Sequence, residues 1–283
     1  MKNQNIIAKI VMGLAISFNF LQVNAQEVKA TKKSKEKVID YQIAKNYFIN
    51  NSVPEGNIVC KITDEKEFNK YFGMATTMSK DGQPTAINFS EKIVVAILTE
   101  SSSSLTEIAV EKVFLNKAGK LQLNYNLKLD NAPSTMTMRV PQILIIDKKF
   151  DKELMVNMSG ESIPYELANR YFVKNTVKDG MLYLPEIKNV EEFDSYFGAA
   201  TVAGKDGLPT VIDFEKQRVI GIIHHSTKSL PNMKVIDVIQ TKERIHVIYA
   251  LNEAEEGQNW RESLLILLDN KKESSISFTI IKN

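Results

Sequence analysis

Nineteen residues of this chain occur twice. The run 71–89, Tyr-Phe-Gly-Met-Ala-Thr-Thr-Met-Ser-Lys-Asp-Gly-Gln-Pro-Thr-Ala-Ile-Asn-Phe, returns at 196–214 as Tyr-Phe-Gly-Ala-Ala-Thr-Val-Ala-Gly-Lys-Asp-Gly-Leu-Pro-Thr-Val-Ile-Asp-Phe, with twelve identities at a constant offset of 125. A chain that repeats itself in this way folds as two units of one design. The repeat also sorts residues. A side chain serving a mechanism common to both units appears twice, whereas one present in a single copy belongs to packing, drift or specialisation of that copy.

The first 25 residues read as a secretory signal. Lys2 and Lys9 supply positive charge, Ile10 to Val23 is largely apolar, and Val23-Asn24-Ala25 suits cleavage before Gln26. The apolar stretch is short and broken by Ser17, Asn19 and Gln22, so cleavage is favoured over a membrane anchor, and no transmembrane segment is expected in the mature chain. The expected location is therefore the periplasm or the medium. Of 36 basic residues, cleavage removes Lys2 and Lys9, leaving 34 against 34 acidic ones. A nucleic-acid binder needs a basic surplus to neutralise phosphates, so nucleic acid is not an expected partner. The lysines at 29, 32, 33, 35 and 37 read as a solvated leader. Cys60, the single cysteine, excludes an internal disulfide and a cysteine-rich zinc site. Its place in Ile58-Val59-Cys60-Lys61-Ile62 suits a buried small hydrophobe.

The repeated landmarks divide the chain into a signal at 1–25, a leader at 26–40, a first unit at 41–151, a linker at 152–164 and a second unit at 165–282. Each unit opens with apolar residues at helical spacing: Tyr41, Ile43, Ala44, Tyr47 and Phe48, then Tyr165, Leu167, Ala168, Tyr171 and Phe172. A short strand follows at Ile58 to Ile62 or Met181 to Leu184. Next comes a helix over 64–73 or 189–198, with Thr63 or Asp64 as N-cap in the first copy, Asn189 in the second, and Gly73 or Gly198 as left-handed terminator. Its Phe68, Tyr71 and Phe72, and likewise Phe193, Tyr196 and Phe197, are read as core rather than as a ligand platform. Four further strand-like segments complete each unit. Leu121, Leu123, Tyr125 and Leu127 alternate strictly, and Gly119 marks a hairpin loop. The fold class expected is α+β: two tandem copies of a unit with an antiparallel meander sheet and two short helices.

Chemistry leaves few candidates. The three histidines, His224, His225 and His246, all lie in the second unit, and adjacent strand residues point to opposite faces, which disfavours a chelating His224-His225 pair. No nucleophile elbow, zinc-protease helix, phosphate-binding loop or dinucleotide fingerprint is present, so no catalytic residue, metal or cofactor is expected. The serines at 101–104 and the stretch Ser226-Thr227-Lys228-Ser229 read as polar loops. The strongest doubled polar feature is Lys-Asp-Gly-x-Pro-Thr. Lys80, Asp81, Gly82, Pro84 and Thr85 recur as Lys205, Asp206, Gly207, Pro209 and Thr210, and these ten residues are the candidate binding site. Asp-Gly forms tight turns and Pro fixes φ, so the motif serves equally as a turn or as a recognition loop on a rigid scaffold.

The run Thr85-Ala86-Ile87-Asn88-Phe89 leading into Ile93-Val94-Val95-Ala96-Ile97 resembles exported bacterial domains grouped with the C-terminal domain of the PrcB protease-complex subunit. Pro209 to Phe214 with Val219 to Ile223 is similar. The whole chain resembles tandem exported proteins of Bacteroidota in which the Tyr-Phe-Gly-x-Ala-Thr block recurs. Where that family has a glycine-containing loop after the first core strand, this chain has serines, at 101–104 and within 226–229. The resemblance implies a protease or another envelope protein as partner and supplies no catalytic residue. The function expected is a non-enzymatic exported binding protein, protease-associated or inhibitory. Two other classes stay open: a single-site hydrolase using the second unit, and an envelope spacer.

Overall fold

Ile93 to Leu98 is apolar at every position, which suits a strand covered on both faces rather than one lying over a single core. In the computed structural model, which describes residues 36–76, 82–201, 207–271 and 274–283, that strand sits at the centre of the first unit. In chain order the first copy runs β1 (Lys37–Val38), β2 (Gln42–Ile43), β3 (Tyr47–Ile49), β4 (Asn57–Ile62), α1 (Glu65–Tyr71), β5 (Phe72–Met74), β6 (Lys92–Leu98), β7 (Ser102–Leu115), β8 (Leu121–Met138), β9 (Pro141–Asp147) and β10 (Leu154–Met158). The second copy repeats the order: β11 (Glu161–Ser162), β12 (Glu166–Leu167), β13 (Tyr171–Val173), β14 (Leu182–Ile187), α2 (Val190–Tyr196), β15 (Phe197–Ala199), β16 (Gln217–Ile223), β17 (Thr227–Gln240), β18 (Arg244–Trp260), β19 (Ser263–Asp269) and β20 (Ser275–Lys282). Residues 154–158 and 161–162, on either side of the Ser159-Gly160 bend, are thus the last strand of one copy and the first of the next.

Among the described residues each copy contains two four-stranded arrays of one pattern and a two-stranded sheet, β3-β5 or β13-β15. In the first copy the orders are β1-β7-β8-β10 and β4-β6-β9-β2. In the second they are β11-β17-β18-β20 and β12-β19-β16-β14. The copies join where β20 pairs in parallel with β4, Thr279 opposite Asn57 and Ile281 opposite Val59, to make one eight-stranded sheet. Residues 34–283 form one compact unit as a result. One face of β6, with Ile93, Val95 and Ile97, packs on Leu121, Leu123 and Tyr125 of β8. The other, with Val94, Ala96 and Leu98, packs on Phe68 and Phe72.

The α+β expectation is overturned. The described residues are mostly β, with one α-helix in each copy, and each helix is seven residues long. The segments at Tyr41–Phe48 and Tyr165–Phe172 are pairs of short strands instead of helices. Asn46 and Arg170 take left-handed φ values of 63° and 66° between them, a conformation that ends any helix. Apolar residues at helical spacing here reflect two strands feeding different sheets, β2 pairing with β9 and β3 with β5. A simple antiparallel meander is also excluded, because β10 runs parallel to β8 and β20 runs parallel to both β18 and β4.

The helix near residue 64 forms as expected, and Asp64 and Asn189 each accept the backbone N–H three residues on at 2.8 Å. Its end does not. Phe72 and Phe197 are extended, and the following glycines enter strands β5 and β15. Those glycines are needed for a different reason: a Cβ on Gly73 would lie 2.3 Å from the Phe48 ring, and one on Gly198 would lie 2.4 Å from the Phe172 ring. An aromatic ring lies across each glycine from the paired strand.

Candidate functional site

Of the ten motif residues, Lys80, Asp81, Lys205 and Asp206 lie outside the described residues. Gly82 and Gly207 are buried, and Pro84, Thr85, Pro209 and Thr210 are half-buried. The threonines act as latches. Lys45 N donates to Thr85 Oγ1 at 3.0 Å, and Thr85 N donates to Lys45 O at 3.2 Å. In the second copy Asn169 N donates to Thr210 Oγ1 at 2.9 Å, and Thr210 N donates to Asn169 O at 3.2 Å. The hydroxyls of Tyr47 and Tyr171 donate to the carbonyls of Thr85 and Thr210 at 2.8 and 2.7 Å. Burial raises both phenols above their ordinary value and keeps them donors. The motif's second half is therefore architecture in both copies. Thr85→Val together with Thr210→Val is expected to cost about 0.5–1.5 kcal/mol per site, read as a lower urea midpoint with unchanged slope.

The latched loop builds the rim of a groove. In the first copy the groove holds about 380 Å³ between the loop and the start of α1. Its floor is aromatic: Phe68 meets Tyr47 edge-on at 5.1 Å and lies 5.7 Å from Phe89. Glu65, Gln83 and Ala86 stand around it. The second copy repeats the floor, with Phe193 edge-on to Tyr171 at 4.9 Å and 5.9 Å from Phe214. Asn88 and Asp213 close the loop on its far side by accepting the N–H two residues on, at 3.1 Å each.

A second polar cluster lies at the junction of the copies and was not legible in the repeat, because its residues are not doubled. Asn57 Nδ2 donates to Ser277 Oγ at 2.8 Å, Glu100 N donates to Asn57 Oδ1 at 3.0 Å, and Arg244 pairs with Glu100. Together with His246 they line a cavity of about 10 Å³, room for a single water. His246 is buried, and its Nδ1 has no hydrogen-bond partner among the described residues. Burial, then the charge of Arg244, depresses its pKa to about 4. This network fixes the register of the short β20–β4 pairing.

The other sequence candidates fall into the framework. His224 is buried and His225 exposed at the end of β16. Their rings stack at 4.0 Å instead of diverging, because strand alternation has ended there. Ser102 to Ser104 and Thr227 onward lie in β7 and β17, not in loops, and Ser101 Oγ donates to Glu55. Cys60 is buried, and desolvation pushes its thiol to about 12. Among the described residues no group of three or more His, Cys, Asp and Glu is placed to hold a metal ion, and no helix is long and apolar enough to cross a membrane. Comparison with protein families, curated proteins and solved structures finds no match to this chain.

Proposed function

We propose that this chain is an exported, non-enzymatic binding protein that engages a protein partner through the two helix–loop grooves. The observation that carries this reading is that the parts around the first groove recur in the second copy: a capped helix, an aromatic floor and a threonine-latched loop. An open concave surface with an apolar floor on a rigid β framework suits binding. The resemblance to protease-associated exported domains makes an envelope protease, or a protein bound to one, the first partner to seek. Affinity capture from envelope extract tests the reading. Ala86→Glu and Val211→Glu, placed in the two grooves, are expected to abolish retention of specifically captured proteins while leaving thermal melting unchanged. Identical capture by the double variant would refute the grooves as the binding surface.

A further inference from the structure

Five of the ten positions lining the first groove differ in the second copy: three become more apolar, Asn69 becomes Asp194, and Met74, 64% exposed, gives way to Ala199. Glu65 at the head of α1, and Gln83 and Ala86 on the loop, line the first groove. At the corresponding positions, each 125 residues on, the second copy carries Val190, Leu208 and Val211. These are 53%, 76% and 89% exposed, large values for aliphatic side chains that the fold does not need. They come from two separate segments, at the positions equivalent to Glu65, Gln83 and Ala86, in a copy that repeats the latch and aromatic floor of the first groove. At these three positions aliphatic residues replace polar or small ones.

The helix beside that rim changes in the opposite sense. In α1, Glu65 and Glu67 are balanced by Lys66 and Lys70. In α2, Glu191, Glu192 and Asp194 stand without a basic residue on the helix. All three are exposed. Lys188, just before the cap, is engaged by Glu186 at 3.0 Å. Lys174 bonds the backbone carbonyl of Asp194. Aliphatic side chains next to an acidic helix face suit a ligand that combines apolar side chains with positive charge, because burial favours the first and the carboxylates attract the second.

The geometry points to the second groove as the docking site for an extended segment of a partner protein in which aliphatic residues alternate with Lys or Arg. The aliphatic side chains lie between Val190, Leu208 and Val211 over the Tyr171, Phe193 and Phe214 rings. The basic ones face Glu191, Glu192 and Asp194. The first groove, with its neutral helix and Glu65–Gln83 rim, does not share this preference. This assignment rests on the groove reading above and gives its second site a partner chemistry.

The test is fluorescence anisotropy of the purified chain with a labelled peptide alternating Leu or Val with Lys, alongside controls replacing Lys by Glu or the aliphatics by Ser. Wild type is expected to bind the first peptide in a saturable, salt-weakened manner and both controls at least tenfold more weakly. Val190→Glu/Leu208→Gln/Val211→Ala, which installs the first copy's own residues, should lower affinity at least tenfold with an unchanged circular-dichroism melt. Asp194→Asn with Glu191→Lys should lower affinity and flatten the salt dependence. Met74→Glu/Ala86→Glu in the first groove should leave binding intact. Undiminished binding by the triple variant overturns the assignment, as does equal binding of the acidic peptide or no binding by wild type. Loss through the first-groove variant alone would overturn it too, while leaving the groove reading standing. The capture experiment judges that reading separately.

Discussion

Phe197→Ala is expected to destabilise the protein by roughly 3–5 kcal/mol, and Phe72→Ala by a similar amount. Phe197 is 0% exposed and Phe72 3%. Each ring sits within 4.8–5.1 Å of the helix phenylalanine before it, Phe68 or Phe193, against one face of a central strand. The cost combines lost transfer energy with a cavity that cannot collapse. Each ring is followed by a glycine that already carries another aromatic across it, so the backbone has no room to settle. Urea melts at constant slope measure the effect. A loss below about 1 kcal/mol in both variants would mean that the rings are not packing elements and would return them to consideration as ligand contacts.

Acid should weaken the fold through His246. Its pKa is about 4 in the folded chain against 6.5 ordinarily, so between those values the unfolded chain binds a proton that the folded chain refuses. The stability this histidine contributes is complete above about pH 6.5 and is lost as pH falls towards 4. The full difference corresponds to roughly 3 kcal/mol. The proton is refused because the ring is buried at the junction, with Arg244 two residues along the same strand, Ser277 opposite on β20 and Glu100 already committed to Arg244. His246→Gln occupies the same position without titrating. Comparing urea midpoints at pH 7 and pH 4.5, wild type should lose on the order of 2–3 kcal/mol more than the variant. Parallel losses would show that the acid sensitivity does not come from His246.

The two predictions separate two kinds of evidence in the chain. The aromatic cluster was legible because Phe68, Tyr71 and Phe72 recur at the same spacing, and only their shared environment had to be added. Of the candidate site, the sequence marked the doubled Pro-Thr segment but not what it does in the fold. Its threonines are latches to residues some 40 positions earlier in the chain, a contact with no local signature. The junction cluster gave no such signal. Asn57, Glu100, Arg244, His246 and Ser277 are single-copy residues spread over 220 positions, and none belongs to a recognisable motif.

The sequence by itself determined the duplication, the helix starts at Thr63 or Asp64 and at Asn189, the Gly119 hairpin and the buried alternation of Leu121 to Leu127. Each rests on a cap, a turn or a period written within a few residues of itself. Only the tertiary structure decided that Tyr41 to Phe48 is two strands, because an apolar spacing that fits a helix also fits two short strands split by a left-handed residue. It alone decided that β20 crosses to β4, since strand partners are chosen by burial and register against distant chain and carry no local mark. The same holds for the second groove. Val190, Leu208 and Val211 stand out when the copies are aligned, but their exposure and the bond that holds Thr210 to Asn169 beside two of them come only with folding.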